Sequence, residues 1–293
     1  MNNIYGSMLA NLDKLTEDMN KLTESIASGK KYSMPSDDPI GLINALETRS
    51  IIAEIDQYER NITHGASWMD GTELALRQTD EVITRSRELA VQMASGTQNE
   101  ATRASAATEV DELIEQVVAL GNTRLGEKYV FAGQKTDTTP FSYDGATVTY
   151  NGDENDINLR IGRDNNMVIN KTGVDAFMDG DETTNLFSYL IDLKTALENN
   201  STSEIQDSLG NLNAASDYIS EKVSACGAKQ NRLQVKKYMY GELRLSNTEK
   251  LSDTEDTDLA EAMLTLKTRE YAYQAALLAA SKVMQMNLAD FIR

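Results

Sequence analysis

The chain has 293 residues but only one cysteine, one histidine, three prolines and one tryptophan, and 28 basic residues face 46 acidic ones. Each shortage removes a class of function. A lone Cys226 leaves no intrachain disulfide and no metal cluster built on cysteine. A lone His64 excludes an HExxH pair and any multi-histidine ligand set, and no GxSxG elbow accompanies it. Neither GxGxxG nor GxxxxGK[ST] occurs, so no phosphate-cradling loop is written in the chain. The acidic stretches 152–156 and 179–182 miss the EF-hand spacing and read as solvated turns. The expectation is a chain with no catalytic, cofactor-binding or metal-binding residues, not an enzyme.

The balance of charge narrows the partners. A net charge of −18 and a pI near 4.5 lack the basic footprint of a nucleic-acid binder and would be repelled by an anionic membrane. The longest notable apolar run, Ala275–Ala280, is far too short to span a bilayer. The opening MNNIYGSMLANLDK has no charged segment leading into an apolar block, so no cleavable signal peptide is expected. Aromatics make up only 6%, which shifts packing onto Ala, Leu, Ile, Val and Met and favours helix-on-helix contact.

Punctuation divides the chain. The prolines are Pro35, Pro39 and Pro140, and 8 of the 17 glycines lie between Gly121 and Gly180. Long helices are thereby permitted at both ends, with turn-rich chain between them. From Asp256 to Arg293 no glycine or proline intervenes, and Leu259, Met263, Leu266, Tyr273, Leu277, Ala280, Met284 and Phe291 recur at four- and three-residue steps. That heptad pattern predicts one helix of roughly 57 Å, at ~1.5 Å per residue. Tyr271, Leu278, Val283 and Leu288 lie off the seam and widen the apolar arc beyond what one partner helix covers. Ile4, Met8, Leu12, Leu15, Met19, Leu22 and Ile26 form a second amphipathic helix, the natural partner of the first. Gly29 ends it. In the hinge that follows, Pro35, Asp37, Asp38 and Pro39 supply the turn, with Asp38 as cap and Pro39 at the first helical position.

Helical patterns continue from 40 to about 95 (through Ile43, Leu46, Ile55, Tyr58, Ile62, Met69, Leu76, Ile83 and Ala90), at 100–125, at 186–197 and at 203–245. Gly65 and Gly71 predict close packing or a bend near Trp68. Ser252-Asp253-Thr254-Glu255 reads as a capping box for the last helix. Between the helical regions, Tyr129–Gly133, Thr147–Tyr150, Ile157–Ile161 and Met167–Ile169 read as short strands. The predicted fold is mainly α with an inserted β-rich domain. Residues 1–35 and 256–293 form a terminal coiled-coil assembly domain, 36–128 and 182–255 a helical bundle, and 129–181 a β-rich outer domain.

Several motifs carry a resemblance. Ser28-Gly29-Lys30-Lys31 through Asp37-Asp38-Pro39 is similar to the SGxRxxxxxDD signature of bacterial flagellin-type proteins, and Gly227–Leu233 (GAKQNRL) resembles their C-terminal GAxxNRL segment. Tyr129–Gly133, Thr139-Pro140-Phe141, Tyr150–Asp153 and Thr172–Phe177 resemble the hook-associated protein 3 branch of that family. The resemblance implies a structural, non-enzymatic axial component at the hook–filament junction, secreted without a cleaved signal through type III export. It further implies assembly through the terminal helices with hook-associated protein 1, flagellin and a ring of copies of itself, and a cytoplasmic export chaperone at the C-terminal region.

Overall fold

A computed structural model describes the backbone of residues 2–32, 34, 36–179 and 185–291, and the side chains of residues 6–32, 34, 36–179 and 185–282. Helices come in order as α1 (Asn2–Ser28), α2 (Pro39–Met93), α3 (Glu100–Gly121), α4 (Gly173–Phe177), α5 (Leu186–Glu198), α6 (Thr202–Glu255) and α7 (Leu259–Phe291). The strands are β1 (Arg124–Leu125), β2 (Lys128–Tyr129), β3 (Phe141–Tyr143), β4 (Val148–Tyr150), β5 (Asn158–Gly162) and β6 (Asn165–Val168). The fold is mainly α with a small β part, as the composition predicts. Two compact units divide the chain: one of Met1–Ile55 with Glu242–Arg293, the other of Asp56–Gly241.

In the unit Asp56–Gly241, a strict seven-residue repeat builds the core. Ile62, Met69, Leu76, Ile83 and Ala90 are buried on α2, and Ile205, Leu212, Ile219, Cys226, Leu233 and Tyr240 are buried on α6. The two seams run antiparallel. Cys226 Sγ lies 3.7 Å from Met69 O, the Tyr58 and Tyr240 rings are 5.4 Å apart, and Ser216 Oγ donates to Asp80 Oδ1 at 2.7 Å. Thr72, Thr79 and Ser86 fill the companion positions of the repeat on α2. Their buried hydroxyls donate to Trp68 O, Ala75 O and Val82 O one turn back, so hydroxyls enter the core without an unpaired polar group. Gly65 marks close packing rather than a bend: an added Cβ would lie 2.8 Å from Leu159 Cδ2. Helix α3 packs on α5, and both start in capping boxes, Asn99 with Thr102 and Asn185 with Ser188.

The β part is three separate antiparallel hairpins, β1–β2, β3–β4 and β5–β6. The run Tyr129–Gly133 departs from the predicted strand, because only Lys128–Tyr129 enters a ladder. Val130, Phe131 and Ala132 are fully buried, and their backbone groups find scattered partners. Val130 N donates to Thr123 O, while Phe131 O accepts from Gly173 N and Ala132 O from Asp153 N. Gly133 ends the run at φ +69°, where a Cβ would strike the Asp153 backbone.

Cys226 is 1% exposed, and burial pushes its thiol up to about 11. The folded chain is therefore expected to resist a thiol-specific reagent near neutral pH and to react fully once denatured. Equal labelling rates in the two states would contradict this.

Candidate functional site

The unit Met1–Ile55 with Glu242–Arg293 holds the two terminal helices. Helix α1 packs along α7, and Arg269 of α7 pairs with Asp18 of α1 at 3.0 Å. On α1, Met8, Leu12, Leu15, Met19, Leu22 and Ile26 are all half-buried. On α7 the residues turned inward are Ala262, Leu266, Tyr273, Ala276 and Ala280. Leu259, Met263 and Leu277 lie more open to solvent. Leu266, Tyr273 and Ala280 of the predicted seam thus keep their place, while the rest of the contact line shifts toward Ala262 and Ala276. Alanine lets two helix backbones approach closely, and an α-helix drifts about 20° per heptad against a 3.5-residue repeat. The side chains of Ile4, Met284, Leu288 and Phe291 lie outside the described residues.

Past α1 and before α7 the two connecting segments run side by side. Gly29, at φ +71°, closes α1, with its N–H on Ser25 O at 2.8 Å. Lys31 N donates to Glu255 O at 2.7 Å and Thr257 N to Gly29 O at 2.9 Å, forming an isolated antiparallel bridge between Lys30 and Asp256. The Ser25 and Thr257 hydroxyls meet at 2.6 Å, and Tyr32 OH donates to Thr254 O at 3.0 Å. Further along the connector that follows α1, Asp37 N donates to Met34 O. Asp38 Oδ1 accepts from Gly41 N at 2.9 Å, with Pro39 the first residue of α2. Pro35 lies outside the described residues.

Glu255 sits at the centre of this crossing. It is 3% exposed. Its Oε1 accepts from Arg49 Nη2 at 2.5 Å and from Lys30 Nζ, while Oε2 is buried without a hydrogen-bond partner. Burial works to raise its pKa, but the bonds from Lys30 and Arg49 prevail and hold the carboxyl below its ordinary range. Sequence pattern assigned Ser252–Glu255 to a cap of the last helix; that reading is corrected here. These residues form the last turn of α6, which runs on past Leu245 to Glu255. The cap of α7 is Asp258, whose Oδ1 accepts from Ala260 N at 2.9 Å and Glu261 N at 3.2 Å. No local signal marks Glu255, because Arg49 lies 206 positions away along the chain.

Glu255→Gln removes the charge but keeps the shape. The expected loss is about 1–2 kcal/mol of local stability, since both cations are partly exposed and can turn to water. Because the folded pKa lies below the ordinary 4.5, the contribution is complete above that value and fades as pH falls through the folded pKa. Amide exchange in α1 and α7 should accelerate in the variant near neutral pH, and the difference should vanish in strong acid. Identical exchange at neutral pH would remove Glu255 from this role.

Among the described residues no group of three or more His, Cys, Asp or Glu is placed to hold a metal ion, and no helix is long and apolar enough to cross a membrane. The geometry is that of a helix pair with apolar side chains on more than one face.

Residues 1–136 match the bacterial flagellin N-terminal helical region. The chain is 31% identical over 175 residues to flagellar hook-associated protein 3 of Salmonella typhimurium, covering 59% of this chain but only 55% of that protein's length. It is 27% identical over 291 residues to flagellar hook-associated protein 3 of Escherichia coli, covering 92% of this chain and 91% of that one. The solved structure of the flagellar junction protein FlgL from Legionella pneumophila superposes with a TM-score of 0.60 at 16% identity, over 72% of this chain and all of that one.

Proposed function

We propose that the chain, whose residues 1–136 match the bacterial flagellin N-terminal helical region, is a structural, non-enzymatic subunit of the flagellin-like family joining the flagellar hook to the flagellin filament. The observation that carries the proposal is the apolar surface left open on the paired termini. Leu259, Met263, Leu264, Tyr271, Leu277 and Leu278 are all exposed on α7 although α1 already lies against it. A single copy cannot bury that surface, so it is built for contacts between subunits. The near full-length likeness to a protein named flagellar hook-associated protein 3 supports the junction over other axial positions.

In this reading the hook side is met through hook-associated protein 1 and the filament side through flagellin, with copies of the chain forming a ring. The chain leaves the cell without a cleaved signal, escorted by a chaperone on its C-terminal region. The interface is drawn from Ile4, Met8, Leu12, Leu15, Met19, Leu22, Ile26, Leu259, Met263, Leu266, Tyr273, Leu277, Met284, Leu288 and Phe291. Deleting 1–34 or 256–293 should abolish incorporation and filament growth, scored by imaging the tagged protein at the hook–filament boundary. Wild-type growth from either truncated chain would defeat the proposal.

A second reading, a filament subunit, is favoured by the match of residues 1–136 to the flagellin N-terminal region. The two separate cleanly: a filament subunit polymerises alone into long filaments when purified, and a junction subunit does not.

A further inference from the structure

A cleft of about 390 Å³ opens in the unit Asp56–Gly241 and contains none of the residues named for assembly. Three lysines line it. Lys222 and Lys229 stand seven residues apart on α6, and Lys171 lies on the segment leading from β6 into α4. Asp175 of α4 pairs with two of them, with Lys171 through Oδ2 and with Lys222 through Oδ1 at 2.8 Å. Lys229 is left out. It is half-buried, its Nζ donates to Val168 O at 2.9 Å, and it makes no ion pair among the described residues.

That difference decides which lysine keeps its proton. A carboxylate partner favours the charged form, whereas a carbonyl accepts from an ammonium and from a neutral amine, so the bond to Val168 does not secure the charge. Burial lowers the Lys229 pKa from its ordinary 10.5, and the neighbouring Lys171 ammonium lowers it further, against the weaker pulls of Cys226, Asp156 and Asp175. Burial acts on Lys222 in the same direction, but there the bond to Asp175 prevails and the pKa rises. The chemistry of the mouth then selects what can reach the amine. Glu154, Asp156 and Asp179 are exposed along it. Buried Asn170 fixes the stretch that carries the first two, accepting from Ile157 N at 2.8 Å and donating to Asn155 O at 3.0 Å. With Asp175 these carboxylates outnumber the three lysines, which disfavours an anion, while each can accept a hydrogen bond from a hydroxyl.

We infer that Lys229 is a modification site, a nucleophilic amine in a cleft that admits small, neutral hydroxy-aldehydes and forms an imine with them. The neutral nitrogen attacks the carbonyl carbon and a C–N bond forms. The carbonyl oxygen takes up the two protons of the amine and leaves as water, so the C=N bond replaces C=O without any oxidant or reductant. Lys171 has a positioning role here: its charge keeps the amine deprotonated, and its own bond to Asp175 holds it in the cleft. The site does not depend on the junction role.

Competitive labelling of the full chain tests this. Limiting D-glyceraldehyde is added near neutral pH with cyanoborohydride, which fixes each imine as a secondary amine, and the labelled lysines are counted by peptide mass spectrometry. Lys229 should be labelled roughly threefold or more faster than any other lysine, and the lead should vanish in denaturant. Its rate should level off with rising pH below 10.5, because its folded pKa is lowered. Glyoxylate, an anionic aldehyde, should show no such lead. Lys171→Gln leaves the amine in place and should slow labelling of Lys229 by about twofold or more, with exposed Lys14 unchanged as the internal reference. Labelling of Lys229 no faster than that of exposed lysines, or a lead that survives denaturation, would overturn the site. Equal preference for glyoxylate would overturn the ligand class, and an unchanged rate in Lys171→Gln would overturn the role given to that ammonium.

Discussion

Replacing Arg103 by methionine is expected to destabilise the unit Asp56–Gly241 by about 2–4 kcal/mol, more than any surface charge in it. Arg103 is 4% exposed and stands in the first turn of α3. Its guanidinium reaches two segments outside its own helix, 93–95 and Asn200. Nε donates to Met93 O at 3.0 Å, Nη2 to Ser95 O at 3.2 Å, and Nη1 to both Asn200 O and Asn200 Oδ1. Met93 is the last residue of α2, where the helix dipole is negative and a cation is favoured. Asn200 turns the chain between α5 and α6 in the left-handed region, at φ +53°. One planar fork therefore ties the exit of α2, the start of α3 and the turn before α6. Methionine keeps the stem packing and removes every donor, which isolates the polar contribution. Arg103→Lys should recover less than half of the loss, since one ammonium cannot serve acceptors spread across a plane. Denaturant unfolding followed by helical circular dichroism measures the effect; a midpoint shift corresponding to less than about 1 kcal/mol would assign Arg103 to packing alone.

Arg103 also shows where sequence reading stops. It lies in a helix that periodicity places well, at 100–125 against an observed Glu100–Gly121. Nothing in its neighbours announces a buried charge, because Asn200 lies 97 positions away. Glu255 is the same case over a longer separation. Long proline-free stretches with apolar residues at helical spacing were legible for the opposite reason: the signal for α1, α2, α6 and α7 is local and repeats every turn. Even there the pattern fixed the helix but not its rotation. Of the seam read along α7, Leu266, Tyr273 and Ala280 do turn inward, but the large Leu259, Met263 and Leu277 stay more open, and Ala262 and Ala276, which allow closer approach, turn inward instead. The middle of the chain was legible as turn-rich and aromatic. Its hairpins are tied together by backbone bonds between distant residues, such as Gly173 N to Phe131 O, and those leave no periodic trace.

The aromatic centre of that middle region sets the largest expected effect in the molecule. Phe141, 1% exposed, has Tyr150, Phe177 and Phe187 within ring distances of 5.2, 5.4 and 5.1 Å. Asn122 brackets its backbone, donating to Phe141 O at 2.9 Å and accepting from Phe141 N at 2.9 Å, so the residue cannot slide to close a void. Phe141→Ala should therefore cost the full cavity penalty, about 3–5 kcal/mol. Two glycines have made room for the ring. A Cβ at Gly121 would sit 2.6 Å from Phe141 Cδ2, and one at Gly173 would sit 2.6 Å from Phe141 Cζ. Gly121→Ala in the native chain forces the ring aside and should cost about 1–3 kcal/mol by overpacking. In the Phe141→Ala background the same alanine enters empty space at the end of α3 and should be neutral or slightly stabilising. The double-mutant cycle is thus expected to show a favourable coupling of about 1–3 kcal/mol. Strict additivity would mean that the ring and the glycine do not share the space the structure gives them, and that the void after Phe141→Ala collapses from the side of Phe177 and Phe187.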